Sequence, residues 1–329
     1  MKIDLQRIRT TLSDLITRST RSLLSKMVAA FLILIIMPVS TIGLITTNRA
    51  TSDLLEQMEG SISANTVQTS NCLDLFLEKA NGISLQLHSS TALLEYGAAT
   101  DAGSMAALYR DANSFVSGLN ASEKELNVKV IFNTGSYVGD VKPPIDMDAV
   151  LGSDWYRQVS EAGGKLVCID YGDTIDVNNT DVAITLARIF IHPRNGKNIG
   201  LIIIDFHGEK VRQILSNAEL GSGDHTYLIT PAGQVVTYLD PAESDGIAER
   251  QFIRDVIAKS GEQDSGVFYS TDRGEACLVS YYKSAANGMT VVTTVPEKAV
   301  KAKAAAIMTT TVIAGIGFSI LAVIFGFIF

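Results

Sequence analysis

The sequence is poor in the residues that build catalytic and metal sites. Its four histidines lie far apart and show no zinc-ligand spacing, at His88, His192, His207 and His225. It has no nucleophile elbow, no phosphate loop and no His-Glu-x-x-His motif. We therefore predict no catalytic residue and no cofactor, and an extracellular enzyme ranks behind the non-catalytic functions.

Cysteine is also scarce. Cys72, Cys168 and Cys277 are an odd number of residues at wide spacings, which indicates no disulfide framework and favours buried free thiols. The one segment that resembles a calcium loop, residues 170–181 (DYGDTIDVNNTD), lacks the required glycine and the closing glutamate. No metal site is predicted.

Basic residues are fewer than acidic ones, 27 against 35. Six of the basic residues precede Met27, so residues 48–303 hold 21 basic and 33 acidic residues and carry a net charge of −12. Because proteins bind phosphate backbones through basic patches, this acidic segment argues against a nucleic-acid partner.

Two long runs contain no charged residue, at 27–47 and 304–329. Each run is long enough to cross the roughly 30 Å of bilayer hydrocarbon as a helix. The basic residues before the first run predict a cytoplasmic N-terminus. The predicted order is a cytoplasmic tail (1–26), a transmembrane helix, an extracellular domain (48–303) and a second transmembrane helix that returns the C-terminus to the cytoplasm.

The first part of the extracellular domain, residues 48–96, is predicted to be one long helix. Apolar and small polar residues recur there at steps of three and four, at Leu55, Met58, Ile62, Asn65, Thr69, Cys72, Phe76, Ala80, Ile83 and Leu87. Two interpretations of this stripe remain open. It packs on its own domain, or it forms a parallel homodimer contact in which Asn65 and Thr69 fix the register.

From Leu126 onward the apolar period changes to two, which is typical of strands. The predicted strands are 126–133, 165–171, 182–192, 200–206, a hairpin at 225–239, 265–270, 275–283 and 289–296. The predicted helices are 104–119, 153–162, 209–217 and 247–260. Both groups run from helix into antiparallel strands, so the predicted fold class is α+β with two serial modules.

Four segments carry a family resemblance: DWYRQV, YGD, NIGLIIIDFHGEKV and TYLITPAGQVV. With this order of elements, residues 48–300 resemble the double Cache (dCache) ectodomains of bacterial transmembrane receptors, and the similarity continues through both spans. The resemblance implies two PAS-like antiparallel-sheet modules. It also implies that a membrane-distal module (97–218) holds the ligand and that a membrane-proximal module (219–300) follows it.

A pocket is predicted around the only tryptophan. Trp155 and Tyr156 near a helix start, with Tyr171 and Asp173 after the next strand, are suited to one cleft in which aromatic faces and a carboxylate hold a small solute. The amino-acid sensors of the family use such a set, and the resemblance adds Asp205. The alternatives are that the aromatic pair fills a core and that the two aspartates cap turns.

The sequence departs from those sensors at one binding position. They carry an arginine shortly before the tryptophan, whereas Ser153 and Asp154 stand here, and Asp148 lies near the place of an upstream tyrosine. Arg188 shares strand parity with apolar neighbours and is predicted either to replace the missing anion anchor or to pair with one of the pocket aspartates.

The predicted partners are therefore a small extracellular solute (an amino acid, amine, organic acid or sugar), a second copy of the chain and the bilayer of the bacterial plasma membrane. By resemblance, an output module is expected to follow Phe329. A sensor histidine kinase of a two-component system is preferred, and a methyl-accepting chemotaxis receptor is the alternative. A ligand-free ectodomain that only dimerises is a further alternative of a different class.

Overall fold

A computed structural model describes residues 23–99, 101–141, 145–170, 182–218, 223–237 and 246–299, with a few further residues between 302 and 321. The chain divides into two compact units. One unit comprises residues 1–58 and 298–329, and its described part is helical. The other unit, residues 59–297, contains both sheets and all the sites discussed below.

The first described helix, α1, covers Leu23–His88, and a separate helix, α2, covers Thr91–Ala98. The prediction of one uninterrupted helix from 48 to 96 is therefore wrong at its end. The Ser89 hydroxyl donates hydrogen bonds to the carbonyls of Leu85 and Gln86. Serine side chains that bond to nearby backbone in this way compete with helix continuation.

The predicted membrane spans are only partly described. Residues 27–47 lie within α1, whereas most of 304–329 and all of the tail up to residue 22 lie outside the described residues. Within the described part of the chain, no helix meets the combined length and hydropathy that a membrane crossing requires.

The first module contains one five-stranded antiparallel sheet with the strand order β2-β1-β5-β4-β3. Its strands are β1 (Leu126–Phe132), β2 (Tyr137–Gly139), β3 (Val167–Ile169), β4 (Val182–Ile191) and β5 (Asn198–His207). Its helices are α3 (Ala102–Ser122), α4 (Met147–Gly152), α5 (Asp154–Glu161) and α6 (Gly208–Ser216).

The second module repeats this topology with the order β7-β6-β10-β9-β8. Its strands are β6 (His225–Ile229), β7 (Val235–Thr237), β8 (Ser265–Asp272), β9 (Glu275–Lys283) and β10 (Thr290–Pro296). A short 3₁₀ helix (Ile247–Glu249) and α7 (Gln251–Ser260) complete it. A long N-terminal helix followed by two antiparallel sheets confirms the predicted α+β fold class.

The stripe on α1 is used for packing within the chain. Ile62, Phe76, Ala80 and Leu87 are buried, and the Phe76 ring meets Phe206 of β5 edge-on with 4.8 Å between centroids. This is the first of the two interpretations of the stripe.

Successive side chains of a strand point to opposite sides of a sheet, and both sides of the first sheet are buried. On the inner face, Leu186 and Phe190 of β4 pack in one core cluster with α1, α2 and α3. On the outer face, Ala187 and Ile189 pack in a second cluster with α5. These two faces separate the candidate binding residues.

Candidate functional site

Helix α5 covers the outer face and presents the tryptophan to it. The Ser153 hydroxyl caps the helix by accepting a hydrogen bond from the Tyr156 amide at 3.2 Å. Trp155 and Val159, four residues apart, lie on the same side of the helix and are buried in the outer-face cluster. Trp155 is only 7% exposed, as the core interpretation of this residue requires.

Tyr156 lies at the edge of the same cluster and is half-buried. Its ring meets Trp155 edge-on, with 6.3 Å between centroids. Its hydroxyl accepts a hydrogen bond from the Asn198 amide at 3.3 Å. The aromatic pair thus joins the core to a polar rim, and the accessible part of the pair is Tyr156.

A buried polar cluster of Lys129, Thr185 and Asp205 lies on the outer face. The Lys129 ammonium is 2.7 Å from one Asp205 carboxylate oxygen, and both side chains are almost completely buried. The Thr185 hydroxyl donates to the other oxygen at 2.8 Å. Because an unpaired buried carboxylate is costly, the ion pair and this hydrogen bond together compensate for the burial of Asp205.

Strand register brings these three side chains together. Asp205 of β5 pairs with Thr185 of β4, and Lys129 of β1 is opposite Ile203, one outer-face position away from Asp205. Sequence reasoning did not single out Lys129. The available signal was its place in LNVKVIF, where a single cation alternates with valines in an otherwise apolar strand.

Tyr171 and Asp173 lie outside the described residues. The chain that leads to them is described as far as Asp170. Ile169 of β3 pairs with Thr185, and the side-chain amide of Gln234 in the second module donates a hydrogen bond to Asp170. The described chain therefore ends one residue after Ile169, whose backbone pairs with Thr185 of the buried polar cluster.

Arg188 lies on the opposite, inner face. Its Nη2 donates to the Asn81 side-chain oxygen of α1 at 2.8 Å. The pairing of Arg188 with Asp205 that the sequence suggested is therefore wrong, because the sheet separates the two residues and Lys129 pairs with the aspartate instead. Burial lowers the pKa of Arg188, and burial together with the Arg188 charge lowers the pKa of His88.

Comparisons with known proteins agree with this architecture. Residues 46–304 match the family model dCache_1, described as a Cache domain. A search of curated protein sequences returned no match.

Several solved structures share the fold. The sensory domain of the Campylobacter jejuni chemoreceptor Tlp3 with isoleucine bound aligns with a TM-score of 0.54 at 16% identity, over 76% of this chain and 97% of that one. The ligand-binding domain of Mlp24 with asparagine gives 0.54 at 14% identity, over 76% and 98%. The extracellular domain of vpHK1S-Z8, a protein assigned as a histidine kinase, gives 0.55 at 12% identity, over 75% and 96%.

Proposed function

Because this chain belongs to the Cache domain family, we propose that it is the sensing part of a bacterial transmembrane receptor. The extracellular domain, residues 48–303, binds a small solute on the outer face of the first module. The runs at 27–47 and 304–329 cross the plasma membrane, and both termini are cytoplasmic. The output is that of a sensor histidine kinase, with a methyl-accepting chemotaxis receptor as the alternative.

The observation that carries this proposal is the buried polar cluster of Lys129, Thr185 and Asp205. A buried ion pair contributes little net stability, and apolar residues of similar volume often stabilise a fold as well or better. Placing one on a sheet face that is otherwise packed with Ile, Leu and Ala therefore favours a role in recognition. In the proposed site, Tyr156, Tyr171 and Asp173 act with this cluster, and Trp155 forms the apolar wall behind it.

Among the four solute classes, the cluster favours amino acids. An α-amino acid carries an ammonium and a carboxylate on one carbon, and the site offers both complementary charges. Asp205 and Asp173 suit the ammonium, and Lys129 supplies the cation that is missing beside Ser153 and Asp154. The similar structures of Tlp3 and Mlp24, which hold isoleucine and asparagine, support the same class.

Signal transmission in this proposal uses the contacts between the modules. A solute that binds Asp205 also affects its hydrogen-bond partner Thr185, which pairs with Ile169 of β3. The residue after β3, Asp170, accepts a hydrogen bond from Gln234 of the second module. Helix α1 contacts both modules, through Asn65 to the Ala218 carbonyl and through Thr66 to Thr293. The solute acts by binding one arrangement of the modules more tightly than another.

We also propose that two copies of the receptor act together as a homodimer. The surface left for this contact is the exposed side of α1, where Leu75 and Leu85 are 67% and 52% exposed. The residues of the predicted stripe that pack inside the chain are not available for this contact.

A ligand-free scaffold is the second candidate, and one observation favours it. Trp155 is buried in the outer-face cluster, and the buried polar cluster already satisfies both Asp205 oxygens. A face closed in this way needs no ligand to be stable. In this alternative the ectodomain only dimerises and anchors a cytoplasmic output.

A thermal-shift screen of the 329-residue chain in detergent tests the proposal. The panel contains amino acids, amines, organic acids and sugars. We expect an amino acid to raise the melting temperature, because a ligand that binds only the folded state stabilises it. Asp173→Ala removes one carboxylate of the proposed site. Asp154→Ala is the matched control, since the Asp154 side chain is 90% exposed.

In Asp173→Ala, we expect the same rise in melting temperature to require at least about ten times more ligand. This is the factor that corresponds to losing one charged hydrogen bond of ~1.5 kcal/mol. Asp154→Ala retains the response of the unmodified chain. Flat curves across the panel, with both variants folded, would support the scaffold instead. If only sugars or organic acids raise the melting temperature, the proposed sensing function stands and the solute class changes.

A further inference from the structure

A concave site lies on the inner side of the first sheet, away from the outer-face cluster. It is a cleft of about 690 Å³, within the size range of small-molecule sites. Its walls come from α1, from β3 and β4 of the first module, and from two hairpin turns of the second module. The residues used below are Asp74, Asn81, Leu186, Arg188, Asn287 and Met289, all of which line it.

Arg188 is the only buried basic residue along this cleft among the described lining residues. It is 7% exposed, and Asn81 accepts a hydrogen bond from its Nη2. Its Nε is buried and has no hydrogen-bond partner, and no carboxylate of the described residues lies within ion-pair distance. A guanidinium has five donors in a rigid fork that matches a carboxylate. A buried cation with no carboxylate partner among the described residues is costly, so it calls for an anionic partner.

Two acidic side chains line the cleft: Glu78 is exposed to solvent, and Asp74 already has partners in the second module. Asp74 lies seven residues before Asn81 on α1, which is about 10 Å along the helix. The Ser284 hydroxyl and the Asn287 side-chain amide both donate hydrogen bonds to its carboxylate. Asp74 therefore holds the second-module turn against α1, and its charge disfavours ligands with more than one negative charge.

Apart from the exposed side chains of Glu78 and Lys165, the remaining wall is mostly apolar. Leu77, Leu166, Leu186 and Met289 line the cleft, and the amides of Gln158 and Asn287 provide polar contacts. One buried cation, an apolar wall and a nearby fixed negative charge together define the chemistry of a fitting ligand. It has one carboxylate and a small, largely uncharged remainder.

We propose that this cleft is a second ligand site, in which Arg188 binds the carboxylate of a small monocarboxylate. The remainder of the ligand packs between Leu186 of the first module and Met289 of the second. The site lies on the opposite side of the sheet from the buried polar cluster, so it does not depend on the solute site proposed above.

Occupancy of this cleft has a direct structural consequence. One ligand contacts both modules and α1 together, so it favours the arrangement in which these three walls converge. Such a ligand changes the response to the outer-face solute only through different affinities for the two module arrangements. The cleft is therefore a place where a second compound tunes the sensor.

The test is a titration of the 329-residue chain in detergent, in which calorimetry and thermal shift measure ligand binding. The probes are acetate, propionate, butyrate, lactate and pyruvate. Propionamide controls for shape without charge, and succinate and inorganic phosphate control for a second negative charge. Arg188→Gln removes the cation, and Arg157→Gln is the matched control because the Arg157 side chain is 70% exposed.

We expect at least one of the monocarboxylates to bind the unmodified chain and Arg157→Gln equally. Arg188→Gln weakens this binding by at least about tenfold, since it removes a charge-assisted pair. Ala286→Trp places a large side chain on the second-module wall of the cleft and leaves Arg188 unchanged. We expect it to weaken monocarboxylate binding as well. Urea unfolding of both variants verifies that they are folded, and Arg188→Gln is expected to be no less stable than the unmodified chain.

Three results would overturn the proposal. No monocarboxylate binds, or binding is unchanged in folded Arg188→Gln, or succinate, phosphate or propionamide binds as tightly as the monocarboxylates. A monocarboxylate whose binding is lost in Asp173→Ala but retained in Arg188→Gln binds the outer face, and this result refutes the cleft as its site. Conversely, monocarboxylate binding that is lost in Arg188→Gln and retained in Asp173→Ala supports the cleft, whether or not an amino acid binds the outer face.

Discussion

At the scale of single residues, the ion pair of Lys129 and Asp205 is the most constrained feature of the outer face. Both side chains are almost completely buried, and the Thr185 hydroxyl donates a hydrogen bond to the aspartate. Such a pair adds little to stability as a unit, but removing one partner leaves a buried charge without its counter-ion.

We therefore predict that Lys129→Met destabilises the first module by ~3–5 kcal/mol. Urea unfolding followed by tryptophan fluorescence measures this directly, because Trp155 is the only tryptophan and packs on the same face. The double variant Lys129→Met with Asp205→Leu is expected to recover most of the loss. Lys197→Met, at an exposed position, is the control and changes stability by less than about 0.5 kcal/mol. A Lys129→Met effect as small as that of the control contradicts the prediction.

The three cysteines differ in reactivity for a related reason. All three are free, with Cys72 exposed, Cys168 half-buried and Cys277 buried. Burial, reinforced by nearby aspartates, raises the pKa of Cys168 and of Cys277 to about 11. The expectation that the free thiols are buried is therefore wrong for Cys72.

Iodoacetamide at pH 8 is predicted to modify Cys72 alone in the folded chain. A thiol with a pKa of about 11 is ionised to only about one part in a thousand at this pH, and the thiolate is the nucleophile. Mass spectrometry of the intact chain counts the adducts, and unfolding in urea exposes all three sites. In Cys72→Ser we expect no adduct before unfolding. Modification of Cys277 at the rate of Cys72 in the folded chain contradicts the assignment.

At the scale of elements, strands β1 and β5 approach each other closely at Gly200. A Cβ atom at this position would lie 2.2 Å from the carbonyl oxygen of Ile131, which is too close unless the backbone moves. The glycine in NIGLIIIDF is thus required by strand packing in the same pair of strands that holds Lys129 and Asp205.

Gly200→Ala is predicted to lower the free energy of unfolding by ~1–3 kcal/mol, the usual range for overpacking a tight core. Gly118→Ala on the exposed side of α3 is the matched control, because a Cβ there meets nothing within 4 Å. In a helix interior this second change is expected to stabilise by ~0.5–1 kcal/mol. Denaturant unfolding compares the two. Equal effects of the same sign refute the proposed close approach.

Much of this architecture is readable from local sequence, and the exceptions have physical causes. The Val-rich and Ile-rich segments are strands near their predicted places, because period-two patterning reports burial directly. The short strand β2 and the six-residue helix α4 were missed, since segments of this length carry little periodicity. The sequence also did not show that Arg188 and Asp205 lie on opposite faces of the sheet. Parity relates residues within one strand, but it does not relate the faces of two different strands.

The site was predictable in the same partial way. Asp205 was identified by resemblance, but its partner Lys129 lies 76 positions earlier and meets it only through the pairing of β1 with β5. A contact of this kind depends on sheet topology, which periodicity does not determine. Trp155 was singled out by its rarity, and the structure adds that it is buried with Val159 in the outer-face cluster, behind the proposed site.

At the scale of the whole molecule, two sheets of identical topology share one helix. The inner residues of α1 bind the modules to each other, through Asn65 to Ala218, Thr66 to Thr293 and Asp74 to Ser284. The exposed side of the same helix is left with Leu75 and Leu85, and with Gly82 seven residues after the first leucine. This spacing places the three residues on one strip of the helix surface.

The proposed homodimer is predicted to form through this strip. Two copies related by a two-fold axis bring the same residues together, so a single Leu75→Glu places two like charges in an apolar contact. We expect it to weaken dimerisation of the 329-residue chain by at least about tenfold, which corresponds to ~1.4 kcal/mol. Analytical ultracentrifugation in density-matched detergent measures the mass of the protein component.

Leu151→Glu is the matched control, because Leu151 is 48% exposed on α4, away from the strip. It is expected to leave the dimer intact, since its charge is introduced into solvent. A chain that is monomeric before any substitution, or one that dissociates equally with either variant, refutes the strip as the contact. If Leu75→Glu alone yields monomers and these still respond to the solute in thermal shift, each protomer carries a complete binding site, and the dimer serves transmission rather than recognition.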